Sequence, residues 1–357
     1  MLRTQLKRVS LTTPRIHHGP CRNRLGTRTA KRTISNINFS DSAIRVPLLR
    51  PTLWALAATT TIYLGCAAFD VYRDVRRAKK RGILREGGRV GSYDEFEYDK
   101  RHGRPRHSPQ SEPAAASHHS PLPSLLLLDQ LRVMLAGHTD AEKVIMGCLA
   151  VNISALGATY LAGGAALQPF IRFPMSSPPF TLLTNVFCHS SALDACLTGL
   201  LILQPTGDIA QSHIFQGNGS HMTAFYFSTA ILSTLGDQFA TVLPSRTYRF
   251  NRFLPISGSG GMAMAMLGAW ATLQPESKVG MMFIPGLSFS IKDIMAALAV
   301  YNTVGIFVGM PFVTAHHGAH LCGLALGSGY VYFGGEKRIW RPTRKVAFYS
   351  MKALRII

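Results

Sequence analysis

His316-His317-Gly318-Ala319-His320-Leu321-Cys322-Gly323-Leu324-Ala325-Leu326-Gly327 decides how the rest of this chain reads. The stretch is apolar enough for a bilayer yet contains His320. An ionisable group inside a membrane helix is costly and defaults to a functional role. Gly323 and Gly327 follow one and two turns later, a GxxxG pair that lets a neighbouring helix approach backbone to backbone. Upstream, Ser257-Gly258-Ser259-Gly260-Gly261 opens another apolar segment rich in Met and Ala. A serine among glycines and a histidine on a tightly packing helix are the parts of a Ser–His dyad.

Composition points the same way. Of 357 residues, 47% are hydrophobic and only 16% charged, too apolar and too charge-poor for an average soluble domain. The charges cluster: residues 144–163, 222–243 and 294–310 hold one acid between them, Asp237. Long apolar runs alternating with basic polar tracts are the pattern of a polytopic membrane protein. The net charge of +20 does not imply nucleic acid as a partner, because the basic residues lie in the leader, the linker and the tail. The six cysteines form no CxxC pair, so neither a disulfide framework nor a metal site is implied; they read as small buried hydrophobes.

Residues 1–42 read as a mitochondrial transit peptide, because the first 40 carry nine Lys/Arg, nine Ser/Thr and no acid. Residues 46–69 are just long enough to span a bilayer, flanked by Arg50 and Arg73. Residues 70–124, with Arg104-Pro105-Arg106 and Ser120-Pro121-Leu122-Pro123, read as a disordered basic linker. Leu125–Leu135 is expected as a short amphipathic or interfacial helix. Spanning segments are expected near 144–165, 180–203, 222–243, 257–274, 290–310 and 314–333, within the membrane domain 125–335. The stretch Val279–Phe289, broken by Pro285 and Gly286, is expected as a re-entrant or interfacial link. Residues 336–357 form a basic C-terminal tail. The expected fold is thus an all-α polytopic membrane protein, with one N-terminal transmembrane helix before a six-helix bundle.

In the dyad reading Ser259 is the nucleophile. His320 takes its proton and returns it to the leaving amine. Backbone N–H groups at Gly260 and Gly261 face the developing oxyanion.

The pairing of a Gly-x-Ser-Gly-like motif with Ala319-His320-Leu321-Cys322-Gly323 resembles the rhomboid family of intramembrane serine proteases. The one-plus-six layout behind a transit peptide is similar to its mitochondrial, presenilin-associated branch. Leu167-Gln168, Ile171-Arg172, Phe283-Ile284-Pro285 with Phe289, Tyr330-Val331-Tyr332 and Ile339-Trp340 also resemble that branch. The resemblance covers about residues 140–345. It implies a six-helix rhomboid-like bundle in the mitochondrial inner membrane that cleaves single-span membrane proteins within the lipid bilayer, by a Ser–His dyad and without a cofactor.

The chain also departs from the family pattern. Anchored on Pro255 and Pro275, Gly258 takes the motif glycine and Gly260 the nucleophile's place. On a helix one residue is a rotation of about 100°, and Ser259 then faces away from His320. The family's second helix carries a histidine and, four residues on, an asparagine at the oxyanion. Aligning His189 with that helix's leading histidine puts Asp194 and Thr198 there, and an ionised Asp194 repels an oxyanion. Two functions follow from the sequence: a serine endopeptidase, if Ser259 faces His320, or an inactive rhomboid-like pseudoprotease that binds transmembrane helices.

Overall fold

The computed structural model describes residues 46–83, 91–102, 123–162, 170–245, 248–280, 286, 288–309 and 316–357. The expected transit peptide lies outside them, as do Leu167-Gln168 and Phe283-Ile284-Pro285. The described residues belong to one compact unit, Val46–Ile357.

The fold is all-α and polytopic. Its helices are α1 (Leu49–Lys80), α2 (Tyr93–His102), α3 (Pro123–Ala136), α4 (Asp140–Ala162), α5 (Thr181–Thr184), α6 (Ala192–Leu203), α7 (Thr206–Gln211), α8 (Gly219–Ala240), α9 (Gly260–Leu273), α10 (Ile291–Phe307), α11 (His317–Tyr332) and α12 (Arg341–Ala353). By length and composition, α1 and Asp140–Leu161 of α4 suffice to cross a membrane, and a bent pair around α5 and α6 makes a third. Of the remaining core helices, α8 and α9 are buried over most of their length, whereas α10 leaves Val300, Val304 and Phe307 exposed on the outside of the bundle.

The centre of the bundle is α9 against α11. α9 is buried almost throughout, from Gly261 to Ala271. The glycines of α11 make the approach possible: a Cβ on Gly323 would overlap the carbonyl oxygen of Gly261, and one on Gly327 that of Ala265. Gly268 of α9 reciprocates against the Leu324 carbonyl, where a Cβ would come within 2.5 Å. With no side chain between them, the two backbones gain dispersion contacts that bulkier residues would forbid.

Three expectations need correction. The segment 180–203 is not one helix: it breaks after Phe187 and resumes at Ala192, bent by 98°. The cause is local, since the Ser191 hydroxyl accepts the Asp194 N–H and starts a new helix. The link at 279–289 ends in a short antiparallel ladder, β1 (Lys278–Gly280) with β2 (Ser288–Ser290). The tract 70–124 is not irregular throughout: α1 runs on to Lys80, and Tyr93–His102 is helical. Cys196, moreover, is exposed, whereas Cys148 and Cys188 are buried.

The tail supplies the reason for the extra order in that tract. Arg344 of α12 is buried and pairs with Asp70 at 3.2 Å, Asp74 at 2.8 Å and Glu97 at 3.1 Å. Burial works against its charge, but the surrounding carboxylates outweigh that and hold its pKa above the ordinary arginine range. Around this centre Val71, Val75, Tyr93, Phe96, Phe348 and Met351 form an apolar cluster. Residues that read as linker and tail thereby clamp α1, α2 and α12 together.

Candidate active site

The loop that leads into α9 is fixed at three points. Arg172 and Ile256 exchange backbone hydrogen bonds, with N–H to O distances of 3.2 and 2.6 Å. The Gly258 N–H donates to the Asn185 carbonyl at 3.0 Å. Gly258 has φ +97°, a left-handed conformation that glycine adopts without strain. Arg172 is itself held, its guanidinium donating to Thr181 Oγ1 at 2.9 Å and to Gln238. With residues 256–258 anchored, the register of the next three residues is set.

That register separates the expected dyad. Ser259 is 1% exposed. Its hydroxyl lies 3.5 Å from His189 Nε2 and 3.5 Å from Asn152 Nδ2. Among the described residues no hydrogen bond joins Ser259 to His320. Gly260 is the residue that meets the histidine: a Cβ built there would lie 2.7 Å from His320 Nε2. The imidazole therefore rests on the Gly260 backbone, in the space a nucleophile's side chain would take. Its ring has no hydrogen-bond partner among the described residues. The expectation that Ser259 faces His320 is thus corrected, because one residue of helix turns a side chain by about 100°.

His189 and Asp194 come together, but on Ser259's side. His189 Nδ1 lies 3.3 Å from Asp194 Oδ2. The same oxygen accepts from the Ser190 N–H and hydroxyl, both at 3.2 Å. The chain Ser259–His189–Asp194 has the connectivity of a Ser–His–Asp relay, with its serine buried. Gly261 packs against Ser233, whose Oγ lies 2.5 Å from where its Cβ would be. On α11, His316 Nδ1 pairs with Asp237 Oδ2 at 3.2 Å, and the Ala319 N–H donates to Asp237 Oδ1 at 3.2 Å. Asp237 thus ties α8 to the start of α11.

A cavity of about 460 Å³ opens beside these residues. Asp194, Ser257, Gly258, Gly260, His316 and His320 line it, whereas Ser259 and His189 do not. The sequence reading missed Asn152, the second partner of Ser259. A lone amide in the apolar run of α4 was the available signal, since such groups seek a partner on another helix.

A bundle of this kind, with paired glycines carrying a histidine helix against a serine–glycine turn, defines a class of membrane protein. The family model described as the Rhomboid domain matches residues 177–337, the part of the chain that holds α6 to α11 and the cavity. The chain is similar to presenilin-associated rhomboid-like protein A, mitochondrial, of Danio rerio, with 26% identity over 223 residues, 61% of this chain and 54% of that protein. It is also similar to the presenilin-associated rhomboid-like proteins, mitochondrial, of Homo sapiens (27% over 208 residues, 57% and 51% of the two chains) and Rattus norvegicus (28% over 180 residues, 44% and 47%). The chain spans about half the length of the curated relatives it matches.

Proposed function

We propose that this chain is a rhomboid pseudoprotease: a multi-pass protein of the mitochondrial inner membrane that binds single-span transmembrane helices without cutting them. The observation that carries this reading is Gly260 opposite His320. Among the described residues no hydroxyl hydrogen-bonds to the histidine, and general-base catalysis needs one within about 2.6–3.2 Å. The cavity beside it retains polar side chains at which a client helix can dock. The acid-free basic leader and the names of the relatives support the mitochondrial assignment.

The test is labelling of the purified, detergent-solubilised protein with a fluorophosphonate serine probe, beside a cleaving rhomboid. The expected result is no labelling while the comparison enzyme is labelled. Labelling lost in both Ser259→Ala and His320→Ala would overturn the reading and restore the dyad. A second reading, a hydrolase in which His189 and Asp194 serve Ser259, is favoured by the contact chain among those three. Its signature is labelling that disappears in Ser259→Ala and His189→Ala yet survives His320→Ala. The burial of Ser259 weighs against it.

A further inference from the structure

The chemistry of the cavity wall narrows the clients it takes, an inference that rests on the helix-binding reading above. The wall is rich in acceptors. Ser233 Oγ and Thr234 Oγ1 donate to the Ala230 carbonyl at 3.1 and 2.9 Å. Ser190 Oγ donates to Asp194 at 3.2 Å, and Thr198 Oγ1 lies 3.5 Å from Asp194 Oδ1. These hydroxyls spend their hydrogens on protein and present lone pairs to the space. The Asp194 side chain is 35% exposed. Its Oδ2 is surrounded by donors, whereas its Oδ1 has only the long contact to Thr198. His320 adds a ring without a hydrogen-bond partner among the described residues. No lysine or arginine lines the cavity among the described residues.

A part-exposed carboxylate with one oxygen nearly unengaged, in a wall of hydroxyl lone pairs and with no lysine or arginine among its described residues, is complementary to a cationic donor. We propose that the cavity selects single-span helices carrying a lysine or arginine within the membrane segment, with the cation paired to Asp194. A lone cation in lipid is costly. Entry into this cavity replaces that environment with a carboxylate and several acceptors, so the client gains where an all-aliphatic helix gains nothing. Ammonium and guanidinium groups carry three and five donors, which suits a wall with many lone pairs.

The test reconstitutes the full chain in phosphatidylcholine vesicles and measures energy transfer to labelled single-span Leu/Ala peptides. One peptide carries a central lysine, one an Nε-acetyl-lysine and one a leucine at that position. The expected result is binding of the lysine peptide at least tenfold tighter than the leucine peptide. The preference should fall below twofold both on acetylation and in Asp194→Asn. Equal binding of all three peptides, or a preference that survives acetylation, overturns this inference and leaves the helix-binding reading standing. No binding of any peptide overturns both. The acetylated peptide keeps the test decisive even where Asp194→Asn fails to fold.

Discussion

The imidazole of His320 lies against the backbone of Gly260, with Nε2 2.7 Å from where a Cβ would stand. The serine next along the chain points instead to His189 and Asn152. A single residue of helical phase thus separates an aligned nucleophile from a buried hydroxyl, and this relationship makes its own prediction. In Gly260→Ser the new hydroxyl emerges on the cavity side. The histidine ring, at the free end of a side chain, must swing back slightly to admit it. Gly260→Ser is expected to acquire fluorophosphonate labelling, falling by about 10²-fold or more in Gly260→Ser/His320→Ala. Asp194→Asn added to Gly260→Ser should speed labelling, because it removes a negative charge beside the developing oxyanion. Unlabelled, folded Gly260→Ser would show that His320 cannot serve a residue at 260.

Ser259 is expected to matter for stability rather than chemistry. Its two contacts are both 3.5 Å, long for hydrogen bonds, but the group is buried. Ser259→Ala leaves His189 and Asn152 without that partner and should cost about 1 kcal/mol, read as a small drop in the thermal midpoint in detergent. Peptide binding in the vesicle assay should be unchanged.

The glycines of the histidine helix should be far less tolerant. A Cβ at Gly323 or Gly327 meets a carbonyl oxygen of α9, and backbone cannot step aside as a side chain can. Gly323→Val and Gly327→Val are expected to lose about 3 kcal/mol or more, or to leave the protein unfolded. Gly65, in α1, has nothing within 4 Å of its Cβ position. Gly65→Ala should be neutral or stabilise by up to about 1 kcal/mol. Thermal unfolding of the three variants side by side checks the contrast.

Arg344 is the centre of the charge network that docks the tail. Arg344→Met removes the partner of Asp70, Asp74 and Glu97 at once. Breaking a buried pair from one side costs about 3–5 kcal/mol. The loss should be local, seen as faster amide exchange in Arg341–Ala353 and in Tyr93–His102, while α9 and α11 keep their protection. Loss of protection throughout the bundle would mean that the network holds the whole fold.

Much of this was legible without coordinates. Hydrophobic runs and breakers give the positions of α1, α4 and α8 to α11, because a lipid-facing or core helix must carry its apolar residues in the chain itself. The pair Gly323 and Gly327 marks a helix built for close approach, and the Ala319–Gly323 run points to the family. The break at 188–191 was hidden, because a capping serine inside an apolar run changes hydropathy very little. The linker reads as disordered for a similar reason: Asp70, Asp74 and Glu97 look solvated until Arg344, more than two hundred residues on, is brought among them. The site shows the limit most sharply. The sequence determined that a serine, three glycines and a histidine would meet at the junction of α9 and α11. Which of them faces His320 was decided by the tertiary structure alone, through the Arg172–Ile256 bridge and the Gly258–Asn185 bond. Those contacts fix the phase at which α9 begins, and on a helix phase is direction.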